Sequence, residues 1–460
     1  MKLYDTLSKT KKTLTKKTLR LFVCGPTVYD LSHIGHARTY VAFDMFVNYL
    51  RFGGYKVFYL QNITDIAEEV KKRAKEKGLK EKELAESFEK EYFKDMSALK
   101  IDSVDKYARA SDYIQDITDQ IKELEKAGYA YQTDNGVYYR VKNFKNYGQL
   151  SGQSTDELKD LEKDSQKENP ADFALWKTAK EGEQSWDSPW GKGRPGWHIE
   201  DTALTYKEFK SPQYELHGGA RDLIFPHHEA EIAQMEAAYG KSPMVQIWMH
   251  TGFLNIKGQK MSKSLGNFIT IRDILKTYSP QTLRIFFVVK HYRSPIDYTP
   301  DALEEAKNNE LKITNFWTDV LWGKEGDLQN KDTKKEEAAI SGHIKNFWEF
   351  LDDDFNTPGA FGELFKLITY FYELKDLAPK PRDLILKFLK DVNSIFYIVD
   401  TANLTDPKNV PSDIMALVME REKLRTEKDF GGADIVRNTI EKQGYIVEDR
   451  TDGPIIKKRV

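Results

Sequence analysis

The stretch CGPTVYDLSHIGHARTYVAFD, residues 24–44, decides the fold of this chain. The apolar run at residues 19–23 predicts a buried strand before it, and apolar residues at helical spacing across residues 42–50 predict a helix after it. A second apolar run at residues 55–60 predicts the next strand. The stretch therefore lies in a βαβ unit, which indicates a Rossmann-like, doubly wound parallel sheet.

The loop of this unit carries His33, Gly35 and His36 to the start of the predicted helix. A helix N-terminus presents unpaired N–H groups and a partial positive charge, which together favour phosphate binding. Gly35 lets a ligand approach the backbone closely. The loop is therefore predicted to bind a phosphate chain. The alternative is a helix-capping loop in which the two histidines only satisfy local hydrogen bonds.

A second motif, KMSKS at residues 260–264, lies far downstream and places the ammonium groups of Lys260 and Lys263 three residues apart. The words His-Ile-Gly-His and Lys-Met-Ser-Lys-Ser, in this order, resemble the signature of the class I aminoacyl-tRNA synthetases.

The composition narrows the class of protein further. The 460 residues contain 70 Lys and Arg against 72 Asp and Glu, so the net charge of −2 provides no global basic field, and any RNA binding must come from local patches. The single cysteine excludes an intrachain disulfide and fits a reducing compartment. No apolar stretch of membrane length and no signal peptide is recognisable, so a cytoplasmic protein without a membrane partner is expected.

The remaining patterns predict several domains. A hairpin around residues 134–136 and the polar segment after it predict an insertion into the sheet domain. The predicted organisation is a catalytic first half (1–120), an insertion (121–192), a catalytic second half with the lysine loop (193–275), a linking and α-helical bundle domain (276–405) and a small C-terminal α+β module (406–460).

His227 and Glu231 are four residues apart. Pro226 suits the first turn of a helix, which would place both side chains on one face, at metal-ligand spacing. The alternative is an ordinary surface pair.

Four further sequence motifs make the resemblance more specific, namely residues 24–30, 62–65, 193–200 and 225–231. Together they resemble cysteinyl-tRNA synthetases over nearly the whole chain. The resemblance implies activation of L-cysteine with ATP and Mg²⁺, and transfer of cysteine to tRNA(Cys). In the family His33, His36, Lys260 and Lys263 act on the ATP phosphates. The implied ATP-binding residues are Thr27, His33, Gly35, His36, Asp222, Lys260 and Lys263, and the implied cysteine-binding residues are Cys24, Gly25, Thr64 and Trp197.

The resemblance also implies a zinc ion that binds the substrate sulfur. The family uses two cysteines, a histidine and a glutamate; here Cys24, His227 and Glu231 match, and Asp201 stands where the second cysteine is usual. Aspartate is a zinc ligand and carries the charge of a thiolate, so retained zinc is expected. The alternative is that zinc is lost and Cys24 is a buried small hydrophobe.

In the terminal module Arg425, Phe430 and Asp434 match positions that read the anticodon in the family. The alternative for Phe430 is a place in the core of a small domain.

Three rival functions are a ligase joining cysteine to an aminosugar, an inactive RNA-binding paralogue and a methionyl-type synthetase. The intact ATP motifs and the C-terminal module favour a cysteinyl-tRNA synthetase, which is expected to be monomeric.

Overall fold

A computed structural model describes residues 1–153, 165–260, 268–323, 333–374, 376–449 and 453–458, apart from the side chain of Lys260. The chain forms two compact units, residues 1–277 with 292–298 and residues 278–291 with 299–460. Across the described residues, every helix is too short or too polar to span a lipid bilayer.

The described strands are β1 (Lys2–Asp5), β2 (Thr10–Thr13), β3 (Thr18–Val23), β4 (Lys56–Ile63), β5 (Lys106–Arg109), β6 (Ala130–Thr133), β7 (Gly136–Tyr139), β8 (Phe173–Thr178), β9 (Gly193–Pro195), β10 (Tyr214–Ala220), β11 (Val245–Thr251), β12 (Leu254–Ile256), β13 (Gln259–Lys260), β14 (Ile296–Tyr298), β15 (Tyr445–Glu448) and β16 (Ile455–Lys458).

The described α-helices are α1 (Ile34–Phe52), α2 (Glu68–Lys77), α3 (Glu81–Ala98), α4 (Ile114–Lys126), α5 (Trp197–Phe209), α6 (Glu229–Tyr239), α7 (Ile271–Leu275), α8 (Pro280–Val288), α9 (Pro300–Trp322), α10 (Lys334–Asp352), α11 (Thr357–Glu373), α12 (Pro379–Phe396), α13 (Ser412–Thr426) and α14 (Phe430–Lys442).

A parallel five-stranded sheet, in the order β11-β10-β3-β4-β5, forms the centre of the first unit. The predicted βαβ unit is confirmed as β3, α1 and β4. In β3 the side chains of Leu19, Leu21, Phe22 and Val23 are all buried, as expected for a central strand covered on both faces. Burial of each large apolar side chain contributes about 1.5–3 kcal/mol. This rigid sheet delivers the loops after β3, β4 and β10 to one edge.

The predicted hairpin around residues 134–136 is confirmed by the antiparallel pairing of β6 with β7, which belongs to a separate sheet in the order β6-β7-β8-β9. Residues 154–164 of the predicted insertion lie outside the described residues. The predicted domain limits at residues 120, 192, 275 and 405 stay predictions.

The second unit contains the predicted helical region, α8 to α12, and the predicted α+β module, in which α13 and α14 precede the paired strands β15 and β16. Ile414, Val418, Ile440, Val447 and Ile456 form the core of this module.

The pattern over residues 270–290 predicts helical structure, and α7 and α8 confirm this prediction. The segment forms two helices, because the Ser279 side chain accepts a hydrogen bond from the Thr282 amide and Pro280 occupies the first turn of α8. Both features are typical of a helix start.

A buried ion pair joins β3 to β10. Glu215, 3% exposed, binds the Nε atom of Arg20 at 3.0 Å and the Nζ atom of Lys16 at 2.8 Å. Burial alone would raise the pKa of Glu215, but the hydrogen bonds from Arg20 and Lys16 outweigh burial and lower it to about 2.

We expect Glu215→Gln to lower the free energy of unfolding at pH 7 by about 1–3 kcal/mol. Because the folded-state pKa of Glu215 lies below its unfolded value, its contribution is complete above the ordinary pKa of glutamate and is lost as the pH falls towards 2. Urea unfolding of both proteins between pH 3 and pH 7 measures this, and a difference that does not shrink towards low pH would contradict it.

Candidate active site and metal centre

A cavity of about 540 Å³ lies in the first unit, beside the residues that follow β3, β4 and β10. This is the sheet edge at which the sequence places the site. The cavity is lined by most of the predicted site residues, namely Cys24, Gly25, Thr27, His33, Gly35, His36, Thr64, Trp197, Asp201, Asp222 and His227.

His33 and His36 form a reciprocal cap at the N-terminus of α1. His33 Nδ1 accepts hydrogen bonds from the amides of Gly35 (3.1 Å) and His36 (3.3 Å), and His36 Nδ1 accepts one from the His33 amide (3.4 Å). The two rings are stacked with their centroids 3.7 Å apart. The capping alternative is therefore confirmed for the Nδ1 atoms.

This cap also determines the tautomer of both rings. A neutral imidazole that accepts at Nδ1 carries its proton at Nε2. Each ring thus has an N–H donor on its opposite edge, and both residues line the cavity. Capping and phosphate binding are compatible because they use different nitrogen atoms.

Most of the lysine motif lies outside the described residues. Lys260 is described only by its backbone, in β13, and Lys263 lies outside the described residues. Asp222 lies in a short 3₁₀ turn directly after β10 and lines the cavity.

The four predicted metal ligands come together from three parts of the chain. Cys24 follows β3, Asp201 lies in the second turn of α5, and His227 and Glu231 lie on either side of the start of α6. Their donor atoms all lie within 4.8 Å of one another. The Nε2 atom of His227 is 2.9 Å from Oδ2 of Asp201 and 3.0 Å from Oε1 of Glu231.

The expected four-residue contact between His227 and Glu231 is thus present. Phe225 is extended (φ −134°, ψ 133°), and helical backbone resumes after it and continues into α6, so Pro226 stands in the first turn as predicted. The alternative of a surface pair is wrong, since the side chains of His227 and Glu231 are no more than 1% exposed.

The charges of this cluster fit a bound cation. Burial and the carboxylates of Glu231 and Asp201 raise the pKa of the Cys24 thiol well above its ordinary value. Burial raises the pKa of Glu231 to about 7, and Glu231 Oε2 lies 3.3 Å from His217 Nε2 without a hydrogen bond from any described residue. The pKa of His227 is lowered by burial but raised more by the two carboxylates, to about 10. One thiol and two carboxylates thus surround the imidazole of His227, and this excess of acidic groups favours binding of a divalent cation. Thiolate sulfur, imidazole nitrogen and carboxylate oxygen are all donors to zinc.

A second donor group shares Cys24 and Glu231 and adds His217 and His228. His228 Nε2 is 3.1 Å and His217 Nε2 is 3.6 Å from Cys24 Sγ. Neither of these histidines lines the cavity, whereas Asp201 and His227 do. A metal that binds a substrate needs an open position, so the group with Asp201 and His227 is the one suited to this role.

Two further residues fix the orientation of His227. The Trp197 ring stacks on it with centroids 4.4 Å apart, and His198 Nδ1 lies 2.9 Å from His227 Nδ1. An outer partner at Nδ1 leaves Nε2 for a metal, a common arrangement around ligand histidines. Sequence reasoning missed His198, although its position beside Trp197 in a recognised word could have indicated it.

Gly25 lies where β3 and β4 approach each other closely. A Cβ atom at this position would lie 1.8 Å from the carbonyl oxygen of Asn62. Thr64 is held at the same place, since its amide donates to the Pro26 carbonyl at 3.0 Å.

We expect Gly25→Ala to displace the loop after β3 and to reduce kcat/KM for the amino-acid substrate on the order of 100-fold, because small displacements in a site are costly. Gly53→Ala is the matched control, since its Cβ would meet nothing closer than 3.5 Å. Equal activity of the two variants would contradict this account.

The predicted anticodon residues lie in the terminal module. Phe430 is 63% exposed, so its alternative assignment to a core is wrong. Asp434 is also exposed, and Arg425 pairs with Asp449 at 2.5 Å.

Comparisons with known proteins agree with this fold. A family described as the class I (C) tRNA synthetase catalytic domain matches residues 10–308, and a DALR domain matches residues 346–396. A methionyl-tRNA synthetase from Mycobacterium tuberculosis, solved with methionyl-adenylate, shares the fold with a TM-score of 0.62 at 16% identity, covering 83% of this chain and 89% of that one. Fold, cavity and motifs thus define a class I tRNA synthetase.

Closer relatives specify the family. Proteins named cysteine–tRNA ligase from Thermococcus gammatolerans and Pyrococcus abyssi are each 43% identical, and one from Methanococcus maripaludis is 42% identical. Each alignment covers 100% of this chain and 99% of the relative. The chain belongs to the cysteine–tRNA ligase family.

Proposed function

We propose that this protein activates L-cysteine with ATP, forming cysteinyl-adenylate and pyrophosphate, and then transfers cysteine to the 3′-terminal adenosine of tRNA(Cys). The observation that carries the proposal is the group of Cys24, Asp201, His227 and Glu231 beside the cavity that His33 and His36 also line. A thiol-binding group and a phosphate-binding helix end therefore serve one pocket.

In the first step the cysteine carboxylate attacks the α-phosphorus of ATP, and pyrophosphate leaves. The Nε2–H groups of His33 and His36 are the donors we assign to the phosphate oxygens, where negative charge develops. Gly35 and the N-terminus of α1 let those oxygens approach the backbone. Lys260 and Lys263 are assigned to the leaving pyrophosphate, with Mg²⁺, and Thr27 and Asp222 to the nucleotide.

Beside the same pocket, Cys24, Asp201, His227 and Glu231 would hold a zinc ion. Zinc would supply a soft Lewis-acidic contact for the substrate sulfur as a thiolate, which serine cannot match. Gly25, Thr64 and Trp197 are assigned to the remainder of the cysteine molecule.

For the transfer step the terminal module is assigned to tRNA(Cys). The exposed ring of Phe430 is available to stack on a base, a contact worth about 1–3 kcal/mol. Arg425 and Asp434 are assigned to the same anticodon contact. We further propose a monomeric, cytoplasmic protein.

The test is aminoacylation of tRNA(Cys) transcript with cysteine and with serine. Charging with cysteine alone supports the proposal. Transfer of cysteine to an aminosugar, without tRNA charging, would favour the rival ligase; full-length coverage of cysteine–tRNA ligases argues against that rival.

A further inference from the structure

Asn62, the penultimate residue of β4, contacts Asp201, one of the four predicted metal ligands. Its side chain is buried, 2% exposed, and its Nδ2 atom donates to Oδ1 of Asp201 at 2.7 Å and to Oγ1 of Thr64 at 3.1 Å. Its Oδ1 atom accepts a hydrogen bond from the amide of Gly25. A backbone amide can only donate, so the Gly25 contact fixes the orientation of the Asn62 amide, with its NH₂ group towards Asp201.

The two oxygen atoms of Asp201 consequently have different environments. Oδ2 lies 2.9 Å from His227 Nε2, on the side of the other donor atoms. Oδ1 accepts the hydrogen bond from Asn62, which holds it on the Asn62 side. Oδ2 is therefore the oxygen that faces the other donor atoms.

This asymmetry matters because aspartate replaces the cysteine that is usual in the family. A thiolate supplies one donor atom, whereas a carboxylate is able to bind a cation through one oxygen or two. A second Asp201 oxygen on the metal would take the position that the substrate sulfur needs.

We infer that Asn62 is a positioning residue that makes Asp201 a one-oxygen zinc ligand and so keeps a coordination position open for the substrate thiolate. The inference rests on the proposed function, since it assumes zinc and a thiol substrate. It also explains how a chain with a single cysteine retains a site that usually contains two.

The experiment compares Asn62→Ala in two backgrounds, the natural chain and Asp201→Cys. Zinc affinity is measured by competition with a chromogenic chelator, and the coordination number is read from the visible spectrum of the cobalt-substituted protein. With Asp201 present, we expect Asn62→Ala to weaken zinc binding about 10–100-fold, as for other outer partners of metal ligands, and to weaken the intense four-coordinate cobalt bands. In the Asp201→Cys background, we expect a change below about threefold, because a thiolate needs no such restraint.

Asn62→Leu is a second variant for the case that Asn62→Ala does not fold. It keeps the side-chain volume and removes the donor, so it should weaken zinc binding like Asn62→Ala. In Asn62→Asp the introduced carboxyl group either shares a proton with Asp201, which restores the hydrogen bond, or adds negative charge beside the zinc, so that variant serves only as a folding control. Equal losses in the two backgrounds would show that Asn62 acts only through Gly25 and Thr64 and would overturn the inference, as would no loss in either.

The unmodified chain separates this inference from the proposed function. If it binds no zinc, the inference fails, while cysteine-dependent ATP–pyrophosphate exchange by the same sample would leave the proposed reaction intact. If it binds zinc but supports no such exchange, the proposed function fails.

Discussion

Replacement of Cys24 by alanine is expected to abolish stoichiometric zinc binding and to reduce cysteine activation by about 100-fold or more. Loss of a residue that only hydrogen-bonds to a metal ligand lowers metal affinity or activity about 10–100-fold. Cys24 is assigned as a ligand itself, so its loss should cost at least as much. It is also the only thiol of the chain, since the sequence contains one cysteine. The measurements are zinc content and cysteine-dependent ATP–pyrophosphate exchange.

The control measurement for Cys24→Ala is ATP affinity, which should stay within about twofold because the nucleotide is assigned to other residues, among them His33 and His36. Loss of both zinc binding and ATP binding would indicate that the variant is misfolded. Stoichiometric zinc or unimpaired exchange in Cys24→Ala would contradict the assignment of Cys24 to the metal.

The second large effect is expected for His33→Asn. Asparagine is a good N-cap, so this variant keeps an acceptor for the amides of Gly35 and His36 while it removes the Nε2–H donor. Loss of one such donor costs on the order of 100- to 1,000-fold in kcat for adenylate formation. Single-turnover formation of cysteinyl-adenylate measures it.

His33→Ala completes this comparison. It removes both the cap and the donor, so it should lose about 1 kcal/mol of stability that His33→Asn retains, with a similar loss of activity. If His33→Asn were as active as the unmodified protein, the histidine would be a cap only.

Most of the fold could be predicted from local sequence patterns, namely apolar runs and helix-start residues. The strands around α1 are continuous apolar runs because β3 and β4 are central and buried, and their order along the chain places the site at one sheet edge. The break between α7 and α8 was also readable, since Ser279 and Pro280 form a helix-start pattern.

The contacts that orient the site residues could not be predicted from the sequence in the same way. Asn62 and Asp201 are 139 residues apart, and nothing local to either residue indicates that one amide group restrains the other. The pairing of His198 with His227 likewise depends on how α5 packs against α6. The resemblance supplied the four metal residues, but the way in which a carboxylate takes the place of a thiolate follows only from three-dimensional contacts.

The central claim is that an Asp201-containing zinc site selects cysteine. Its most direct test is ATP–pyrophosphate exchange with cysteine and with serine on metal-quantified protein, before and after chelation. We expect exchange with cysteine that falls on chelation and returns with zinc, and no exchange with serine. Full, cysteine-selective exchange by metal-free protein would contradict it.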